Sequence, residues 1–298
     1  MQVCVLGAGT MGHGIAQVAA MAGHDVTMRD VDGSILESGL EAIRENLAGG
    51  IERGKVTEEE RDRALDRIAT TTGLGEAARD ADLVVEAVPE DLDLKKRVFE
   101  EVEALVPDDA ILATNTSALP VTEIAAALDR PSRAIGLHFF NPVHVMQLVE
   151  VVLAEQTTDE TRERAEAFVD GIDRTPATVR DAPGFASSRL GVALGVEAMR
   201  MVQEGVASPS DIDTAMELGY RHPQGPLELT DLVGLDVRLD VLEHLRKELG
   251  ERFAPPPILR RKVRAGHLGR KTGRGFYVWE DGEPVAVADD GANATDDR

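Results

Sequence analysis

The chain has 298 residues, of which 43% are hydrophobic and 29% are charged, as is typical of a globular protein with one large or two ordinary domains. Its net charge of −22 disfavours binding to nucleic acids, because a strongly negative surface repels phosphate backbones. No apolar run reaches the ~18 residues of a membrane helix, and the single cysteine, Cys4, excludes both an internal disulfide and a cysteine-rich metal site. The amino terminus shows no cleavable signal pattern, so we expect a cytoplasmic protein that binds neither membrane nor metal.

The balance among the charged residues favours a salt-rich cellular environment. The chain has 54 acidic residues, and only six of its 32 basic residues are lysines. This surplus of acids with few lysines favours a halophilic protein, and an acidic mesophilic enzyme is the simpler alternative. The segment from Glu280 to Arg298 carries a net charge of −6, which leaves −16 on the rest of the chain.

Short apolar runs alternate with longer amphipathic stretches over the first 180 residues, a pattern that is typical of βαβ units around a parallel sheet. A glycine-rich turn at residues 7–14 follows the first of these runs. We predict strands at 3–6, 25–29, 82–87, 110–114, 134–138, 147–153 and 177–180. We predict helices at 15–21, 34–52, 58–68, 95–105 and 158–171.

The strand pattern stops near residue 182 and gives way to helical patterns. We predict helices at 186–204, 209–218, 225–249 and 256–265, and a brief extended piece at 275–279. A change from an α/β to an all-α pattern marks a domain boundary. The sequence therefore predicts an α/β domain over residues 1–181, a helical domain over 182–280 and a disordered acidic tail over 281–298.

The glycine-rich turn matches the dinucleotide-binding pattern G-x-G-x-x-G at Gly7, Gly9 and Gly12. The pattern is informative here because it stands between a predicted strand and a predicted helix. Gly7 permits a tight turn, Gly9 lets the backbone approach a pyrophosphate, and Gly12 lets the helix pack closely on the strand. Thr10 and Met11 complete the loop, whose backbone N–H groups at the start of the helix favour a phosphate.

An acidic residue follows the second predicted strand, where it would meet the ribose of a dinucleotide. This residue, Asp30, stands 18 positions after Gly12. A carboxylate there accepts ribose hydroxyls and repels a 2′-phosphate, which favours NAD. The adjacent Arg29 keeps NADP open, since an arginine at this place accommodates a 2′-phosphate. The alternative without any cofactor is a glycine-rich turn beside a solvated aspartate.

Two polar residues stand inside apolar strands in the middle of the chain. His138 lies in the stretch GLHFFNP, and Glu150 lies 12 residues later in QLVEVV. If the two strands are neighbours, the imidazole and the carboxylate meet, as a general base held and stabilised by an acid. The alternative is a core histidine with a satisfied hydrogen bond. Of the rival histidines, we expect His13 to line the cofactor pocket and His144 to lie on the surface.

Six segments of the chain together carry a family resemblance. They are GAGTMGHGIAQVAAMAGHDVTMRD, DLVVEAVPEDLDLKK, ATNTSALPVTEIA, GLHFFNPVHVMQLVEVV, DAPGFASSRL and GRKTGRGFY. From about residue 1 to 279 the chain resembles the 3-hydroxyacyl-CoA dehydrogenase family, and within it the short 3-hydroxybutyryl-CoA dehydrogenases. The resemblance implies a Rossmann-type doubly wound NAD-binding domain followed by an all-α domain for dimerisation and substrate binding. It also implies a homodimer that oxidises an (S)-3-hydroxyacyl-CoA thioester reversibly to the 3-oxoacyl-CoA with NAD.

The resemblance assigns roles to individual residues. His138 matches the family's catalytic base and Glu150 its partner. Ser117 and Asn141 match positions near the substrate hydroxyl and the nicotinamide. The other matches are cofactor contacts at Glu90, Lys95 and Lys271, and coenzyme A contacts at Asn46 and Arg53.

One position departs from the family pattern. Ser188, in PGFASSR, stands where many members have an asparagine that positions the substrate. The substrate is therefore less firmly indicated than the reaction, and a related branch that oxidises polyol acids such as gulonate is an alternative. A catalytically silent NAD-binding or structural protein is a second alternative, against which the presence of both His138 and Glu150 argues.

Overall fold

An eight-stranded sheet frames the first of two units, Met1–Phe185, in the computed structural model, which describes residues 1–288. The strands are β1 (Gln2–Leu6), β2 (Asp25–Arg29), β3 (Ile68–Thr71), β4 (Leu83–Glu86), β5 (Ile111–Thr114), β6 (Ala134–Phe139), β7 (Leu148–Leu153) and β8 (Thr175–Arg180). The helices are α1 (Gly12–Met21), α2 (Gly33–Glu52), α3 (Glu58–Asp66), α4 (Leu74–Ala78), α5 (Leu92–Glu103), α6 (Val121–Ala125) and α7 (Asp159–Gly171). A 3-10 helix, Pro131–Arg133, precedes β6.

The strand order places a ligand-binding edge at the ends of β1 and β4. The order is β3-β2-β1-β4-β5-β6-β7-β8, with parallel pairing from β3 to β6. Strand β7 then pairs antiparallel with β6, and β8 parallel with β7. The order reverses between β1 and β4, and open α/β sheets bind ligands beyond the carboxyl ends of the strands at such a point.

Helices cover both faces of the sheet, because its strands carry apolar side chains on both sides. In β1, Val3 and Val5 belong to a core shared with α1, α2 and α7. Cys4 and Leu6 belong to the opposite core, shared with α4, α5 and α6. Each fully buried aliphatic side chain contributes roughly 1.5–3 kcal/mol, so the two cores hold the strand ends that carry the site.

The second unit, which begins at Ala186, is helical and ends in a two-stranded hairpin. Its elements are α8 (Ser187–Gln203), α9 (Pro209–Tyr220), α10 (Pro226–Val233), α11 (Leu235–Leu249), α12 (Pro257–Arg264), β9 (Tyr277–Glu280) and β10 (Glu283–Val287), with 3-10 helices at Glu251–Phe253 and Arg270–Thr272. The buried carboxylate of Asp231 anchors the hairpin to α10. It accepts hydrogen bonds from the backbone N–H groups of Phe276 (2.8 Å) and Tyr277 (2.9 Å) and from Trp279 Nε1 (2.9 Å).

The predicted doubly wound α/β domain followed by a helical domain is confirmed. The bounds of two predicted helices are wrong. The helix predicted at 58–68 ends at Asp66, and β3 follows as an edge strand on β2. The helix predicted at 225–249 breaks at Gly234, whose φ of 104° ends α10 and favours glycine. Helices α4 and α6 were not predicted, because five residues show too little of a 3.6-residue period.

The predicted disorder of residues 281–298 is wrong for the first part of that segment. Strand β10 pairs antiparallel with β9. Between them, Asp281 and Gly282 have φ values of 50° and 87°, as in the two-residue hairpin turns that Asp-Gly favours. The Asp-Gly pair was therefore a sequence signal for this hairpin. Residues 289–298 of the predicted tail lie outside the described residues.

Candidate active site

The loop after β1 contains three glycines. At two of them a side chain would collide with the backbone, and at the third a side chain would meet empty space. Gly7 has a φ of 96°, and a Cβ there would lie 2.6 Å from the Ala87 carbonyl oxygen. A Cβ at Gly12 would lie 1.7 Å from the Gly7 carbonyl oxygen, so only glycine lets α1 begin this close to β1. At Gly9 a Cβ would meet no atom of the chain within 4 Å. That open backbone at the start of α1 fits the close approach of a pyrophosphate.

The carboxylate of Asp30 lies against this loop, at the end of β2. Its Oδ2 accepts a hydrogen bond from the Ala8 N–H at 2.9 Å. Arg29 instead donates from Nε to the Thr72 carbonyl oxygen at 3.2 Å. The acidic side chain is therefore the one that the structure places beside the loop. Thr10 is exposed, and Met11 precedes α1 without a side-chain cap. Loop, helix start and carboxylate together fit a dinucleotide with an unphosphorylated ribose.

His138 and Glu150 lie directly opposite each other in the antiparallel pairing of β6 and β7. His138 Nδ1 lies 2.8 Å from Glu150 Oε2, and the two side chains are 9% and 1% exposed. The strand alternation turns Leu137 and Phe139 into the apolar core on the other face. With Nδ1–H donating to the carboxylate, the imidazole keeps Nε2 as its acceptor. This tautomer is the one that a general base requires.

A cavity of about 380 Å³ collects several of the predicted residues at the carboxyl ends of the strands. The predicted residues in its wall come from four different segments and are Met11, Glu90, Ser117, His138 and Asn141. The rest of the wall is Ala87, Val88, Asn115, Phe139 and Phe140. The ring of Phe140 lies 4.4 Å from the imidazole, centroid to centroid. A base, an amide, a hydroxyl and a carboxylate thus share one partly apolar space, as expected of an active site.

Asn115 is a wall residue that sequence reasoning missed. Its Oδ1 accepts a hydrogen bond from the Phe139 N–H at 3.0 Å, which ties the end of β6 to the loop after β5. The signal in the sequence was its place directly after a buried strand, two residues before the predicted Ser117.

A second missed residue, Glu86, ends β4 and is fully buried with Lys95 of α5. Lys95 Nζ lies 2.7 Å from Glu86 Oε1 and 3.4 Å from Glu90 Oε2. Burial raises the pKa of the Glu86 carboxyl, and the Lys95 ammonium opposes that rise. Glu90 Oε1 in turn accepts a hydrogen bond from the Ser117 N–H at 3.1 Å. Lys95 is itself fully buried and contacts Glu90 in the cavity wall. The sequence signal for Glu86 was a glutamate inside the apolar run LVVEAV.

The residues predicted to contact coenzyme A lie in α2 and at its carboxyl-terminal cap, and they do not belong to the wall of this cavity. Asn46 Nδ2 donates to Gln17 Oε1 of α1 at 3.2 Å, and Arg53 is an exposed residue at the end of α2. The rival histidines are also outside the wall. His13 Nδ1 lies 2.8 Å from the Gly9 carbonyl oxygen. His144 is half-buried, and burial, followed by nearby cationic side chains, lowers its pKa.

Two predicted residues belong to the second unit. Ser188 lies in the first turn of α8. Lys271 lies in the 3-10 helix before the hairpin, and its Nζ lies 2.6 Å from Asp236 Oδ2. Ser188 thus lies near the beginning of a 17-residue helix, and Lys271 is the middle residue of a three-residue 3-10 helix.

Other chemistries find no support in residues 1–288. No group of three or more histidine, cysteine, aspartate or glutamate side chains among them could hold a metal ion. Over the same residues, no helix is long and apolar enough to cross a membrane. Cys4 is buried in β1, and burial raises the pKa of its thiol to about 12. A thiolate nucleophile at neutral pH is therefore excluded at this position.

Comparisons with known proteins cover nearly the whole chain. A family model described as 3-hydroxyacyl-CoA dehydrogenase, NAD binding domain, matches residues 2–182, and the model of the C-terminal domain of the same family matches residues 184–279. A probable 3-hydroxybutyryl-CoA dehydrogenase of Bacillus subtilis is 46% identical over 281 residues, which cover 94% of this chain and 98% of the relative. A 3-hydroxybutyryl-CoA dehydrogenase of Bradyrhizobium diazoefficiens is 43% identical over 285 residues, covering 95% and 97%.

A solved structure with the same fold supports this relationship. The (S)-3-hydroxybutyryl-CoA dehydrogenase of Ralstonia eutropha superposes with a TM-score of 0.90 at 40% identity. The superposition covers 94% of this chain and 99% of that protein. None of these three relatives is named for a polyol acid, so they do not favour the gulonate-type alternative.

Substitution by alanine should affect stability at Gly12 and affinity for NAD at Gly9, because a methyl group has space at Gly9 and none at Gly12. We expect Gly9→Ala to keep the melting temperature within about 2 °C, because its methyl group meets no protein atom. Its affinity for NAD should fall by roughly tenfold or more, because the methyl group occupies the approach of the pyrophosphate. Gly12→Ala should instead destabilise the protein by about 2 kcal/mol or more, since the Gly7 carbonyl must move. Thermal melting and NAD titration of both variants measure the difference.

The matched control is Gly171→Ala, whose methyl group is equally free of contacts at the end of α7. It should change neither property. A Gly9→Ala protein that binds NAD as the wild type does would contradict the placement of the pyrophosphate on this loop.

Proposed function

The chain belongs to the 3-hydroxyacyl-CoA dehydrogenase family and is an NAD-dependent oxidoreductase, and we propose that it acts on (S)-3-hydroxybutyryl-CoA or a similarly short (S)-3-hydroxyacyl-CoA. The observation that carries the proposal is the His138–Glu150 pair in the wall of a cavity beside the glycine loop. The names of its relatives support the short thioester as the substrate. We also infer a cytoplasmic location, where NAD and coenzyme A thioesters are available.

In the proposed reaction His138 acts as the general base. Its Nε2 accepts the proton of the substrate's 3-hydroxyl group while the C3 carbon is oxidised. Bound NAD supplies the hydride acceptor for that carbon. Glu150 holds the imidazole through Nδ1 and stabilises the imidazolium that forms, because its carboxylate is buried at 2.8 Å. In the reverse direction the imidazolium returns the proton to the carbonyl oxygen.

The other predicted residues are assigned to binding and orientation. We propose that Ser117 and Asn141 orient the reacting groups, since both line the cavity with His138. Glu90 and Lys271 are proposed to bind the cofactor, with Lys95 acting through Glu90. Asn46 and Arg53 are proposed to bind coenzyme A, and Ser188 to contact the substrate.

A comparison of substrates and variants tests this function. The purified protein should form NADH from (S)-3-hydroxybutyryl-CoA and not from gulonate or other free hydroxy acids. His138→Gln should lower kcat by roughly 10²–10⁴, the usual contribution of a positioned base. Glu150→Gln should lower it less, because the base itself remains. Absorbance of NADH during steady-state turnover measures each rate.

His144→Gln is the control, because it removes a histidine that does not line the cavity. It should turn over close to the wild-type rate. A folded His138→Gln enzyme with wild-type kcat would refute the proposed base, whereas turnover of gulonate alone would refute the proposed substrate.

We propose that the protein is a homodimer formed through its helical unit. Many apolar side chains of this unit pack into its own core, among them Val192, Val196, Met199, Leu227 and Leu235. Others remain on the surface, including Leu190, Leu218 and Tyr220, which are 71%, 79% and 75% exposed. Apolar side chains in such number are usually covered by a second copy of the chain.

Light scattering at micromolar concentration should therefore give twice the mass of one chain. Leu218→Asp should shift the protein toward monomers, since it puts a charge on the proposed interface. Leu105→Asp, at an exposed apolar position of the other unit, should leave the mass unchanged. A monomeric wild-type protein would contradict the proposal.

We propose that the protein is adapted to high salt. Residues 1–279 carry a net charge of −16, so the folded chain repels itself. The screening length falls from about 10 Å at ~0.1 M salt to about 3 Å at ~1 M, which removes most of this repulsion. Salt also weakens exposed ion pairs such as Arg44–Glu41, but each of these contributes only about 0–1 kcal/mol. We therefore expect the loss of repulsion to outweigh the weakening of these pairs.

The melting temperature and the activity should therefore rise between ~0.1 and ~2 M potassium chloride. Sucrose at the same osmolality is the control, because it stabilises proteins by exclusion from their surface without screening charge; the rise in potassium chloride should exceed the rise in sucrose. A melting temperature that stays constant or falls over this range would contradict the halophilic adaptation.

A further inference from the structure

Three charged side chains between β4 and α5 take no part in the proposed proton transfer. They are Glu86 at the end of β4, Glu90 in the following loop and Lys95 in α5. Lys95 Nζ makes a short contact with Glu86 Oε1, at 2.7 Å, and a longer one with Glu90 Oε2, at 3.4 Å. The side chains of Glu86 and Lys95 are 0% exposed, whereas that of Glu90 is 41% exposed. The ammonium group is therefore shared between a buried carboxylate and one at the cavity.

Stability alone gives little reason to bury such a pair. Removing two charges from water costs about as much as their attraction returns, and apolar side chains of similar volume often stabilise a protein equally well. Lys95 also buries the four methylene groups of its side chain, which a methionine or a leucine would do without a charge. The ion pair is thus better explained by its effect on Glu90, whose side chain is exposed in the cavity wall.

Glu86 is held at three points, so it keeps the ammonium in place. Besides Lys95, its Oε1 accepts a hydrogen bond from the Val88 N–H at 2.7 Å. Its Oε2 accepts one from Thr114 Oγ1 of β5, also at 2.7 Å. Because Glu86 is fixed, its 2.7 Å contact holds the Lys95 ammonium in the position from which Glu90 Oε2 lies 3.4 Å away. Glu90 keeps its orientation through Ser117 N–H and Thr116 Oγ1, at 3.1 and 2.5 Å.

We propose that Glu86 is a positioning residue of the cofactor site: by taking the short contact to Lys95, it keeps the Glu90 carboxylate out of a tight ion pair and available as an anionic group facing the nicotinamide. Glu86 itself does not touch the cofactor. It acts through Lys95, which sets the position and the net charge of the carboxylate in the cavity wall.

The placement of the nicotinamide follows from the proposed function, on which this inference rests. Hydride leaves the carbon whose hydroxyl proton His138 accepts, so the nicotinamide must reach the cavity that His138 lines. Glu90 lines the same cavity. The oxidised nicotinamide carries a positive charge that the reduced ring lacks. A carboxylate facing it therefore favours the binding of NAD⁺ over that of NADH. Glu86, Glu90 and Lys95 together carry a charge of −1, and the strength of this preference depends on that net charge.

The test is the ratio of the dissociation constants of NAD⁺ and NADH in Glu86→Gln. The variant keeps the shape of the side chain and removes its charge, which leaves Lys95 to neutralise Glu90. We expect the dissociation constant of NAD⁺ to rise roughly five- to tenfold and that of NADH to change less than twofold. Titration calorimetry with each form of the cofactor measures both constants without substrate and without turnover.

Two variants serve as controls for this charge. Glu86→Asp keeps the charge but shortens the side chain by one methylene group, so its ratio should lie closer to that of the wild type than the ratio of Glu86→Gln does, which a role in packing alone would not produce. Glu123→Gln breaks the neighbouring Lys96–Glu123 ion pair, which joins α5 to α6 at 2.6 Å with both side chains partly exposed. It removes one negative charge outside the cavity and should leave the ratio unchanged.

An unchanged ratio in a folded Glu86→Gln protein overturns the proposal. If that variant does not fold, Glu90→Gln tests the same charge, because its side chain is already part-exposed; a wild-type ratio there overturns the proposal equally. A wild-type protein that binds neither form of the cofactor would instead refute the cofactor assignment itself. These outcomes separate a failure of the inference from a failure of the proposed function.

Discussion

The antiparallel pairing of β6 with β7 is the constraint on which the site depends. A side chain on a strand faces its direct partner on the same side of the sheet, so this register alone brings His138 onto Glu150. A shift by one residue would turn the imidazole into the apolar core that holds Leu137 and Phe139. The buried valines on both sides of Glu150 oppose such a shift, because they would have to leave that core. The core therefore fixes the chemistry as well as the fold.

The remaining parts of the site reach the same edge through the parallel half of the sheet. Strands β1, β4, β5 and β6 all end there, and the loops after them supply Met11, Glu90, Ser117 and Asn141. Two further constraints fix these loops. The contact between Gly12 and the Gly7 carbonyl sets where α1 begins, and the Glu86–Lys95 pair ties the loop after β4 to α5. Two polar groups of the cavity wall, His138 and Glu90, are thus held by the buried side chains of Glu150 and Lys95.

The sequence predicted those features that local patterns encode. The glycine loop, the alternation of strands and helices, and the polar residues inside apolar strands are all visible in the chain. The direct opposition of His138 and Glu150 was predicted only as a condition, because neighbouring strands are set by tertiary pairing. Glu86 was missed because a buried glutamate needs a partner nine residues away, and no spacing rule identifies that lysine. Strand β3 and the break at Gly234 were missed because four residues, or one glycine, carry too little periodic signal.

We propose that Glu150 fixes the tautomer of His138 so that Nε2 is free to accept a proton. The ¹⁵N chemical shifts of the histidine rings, with His138 assigned by comparison with His138→Gln, measure this directly. We expect a protonated Nδ1 and an unprotonated Nε2 on His138 in the neutral ring, and a mixture of tautomers in Glu150→Gln. A neutral His138 protonated at Nε2 in the wild-type protein would contradict it.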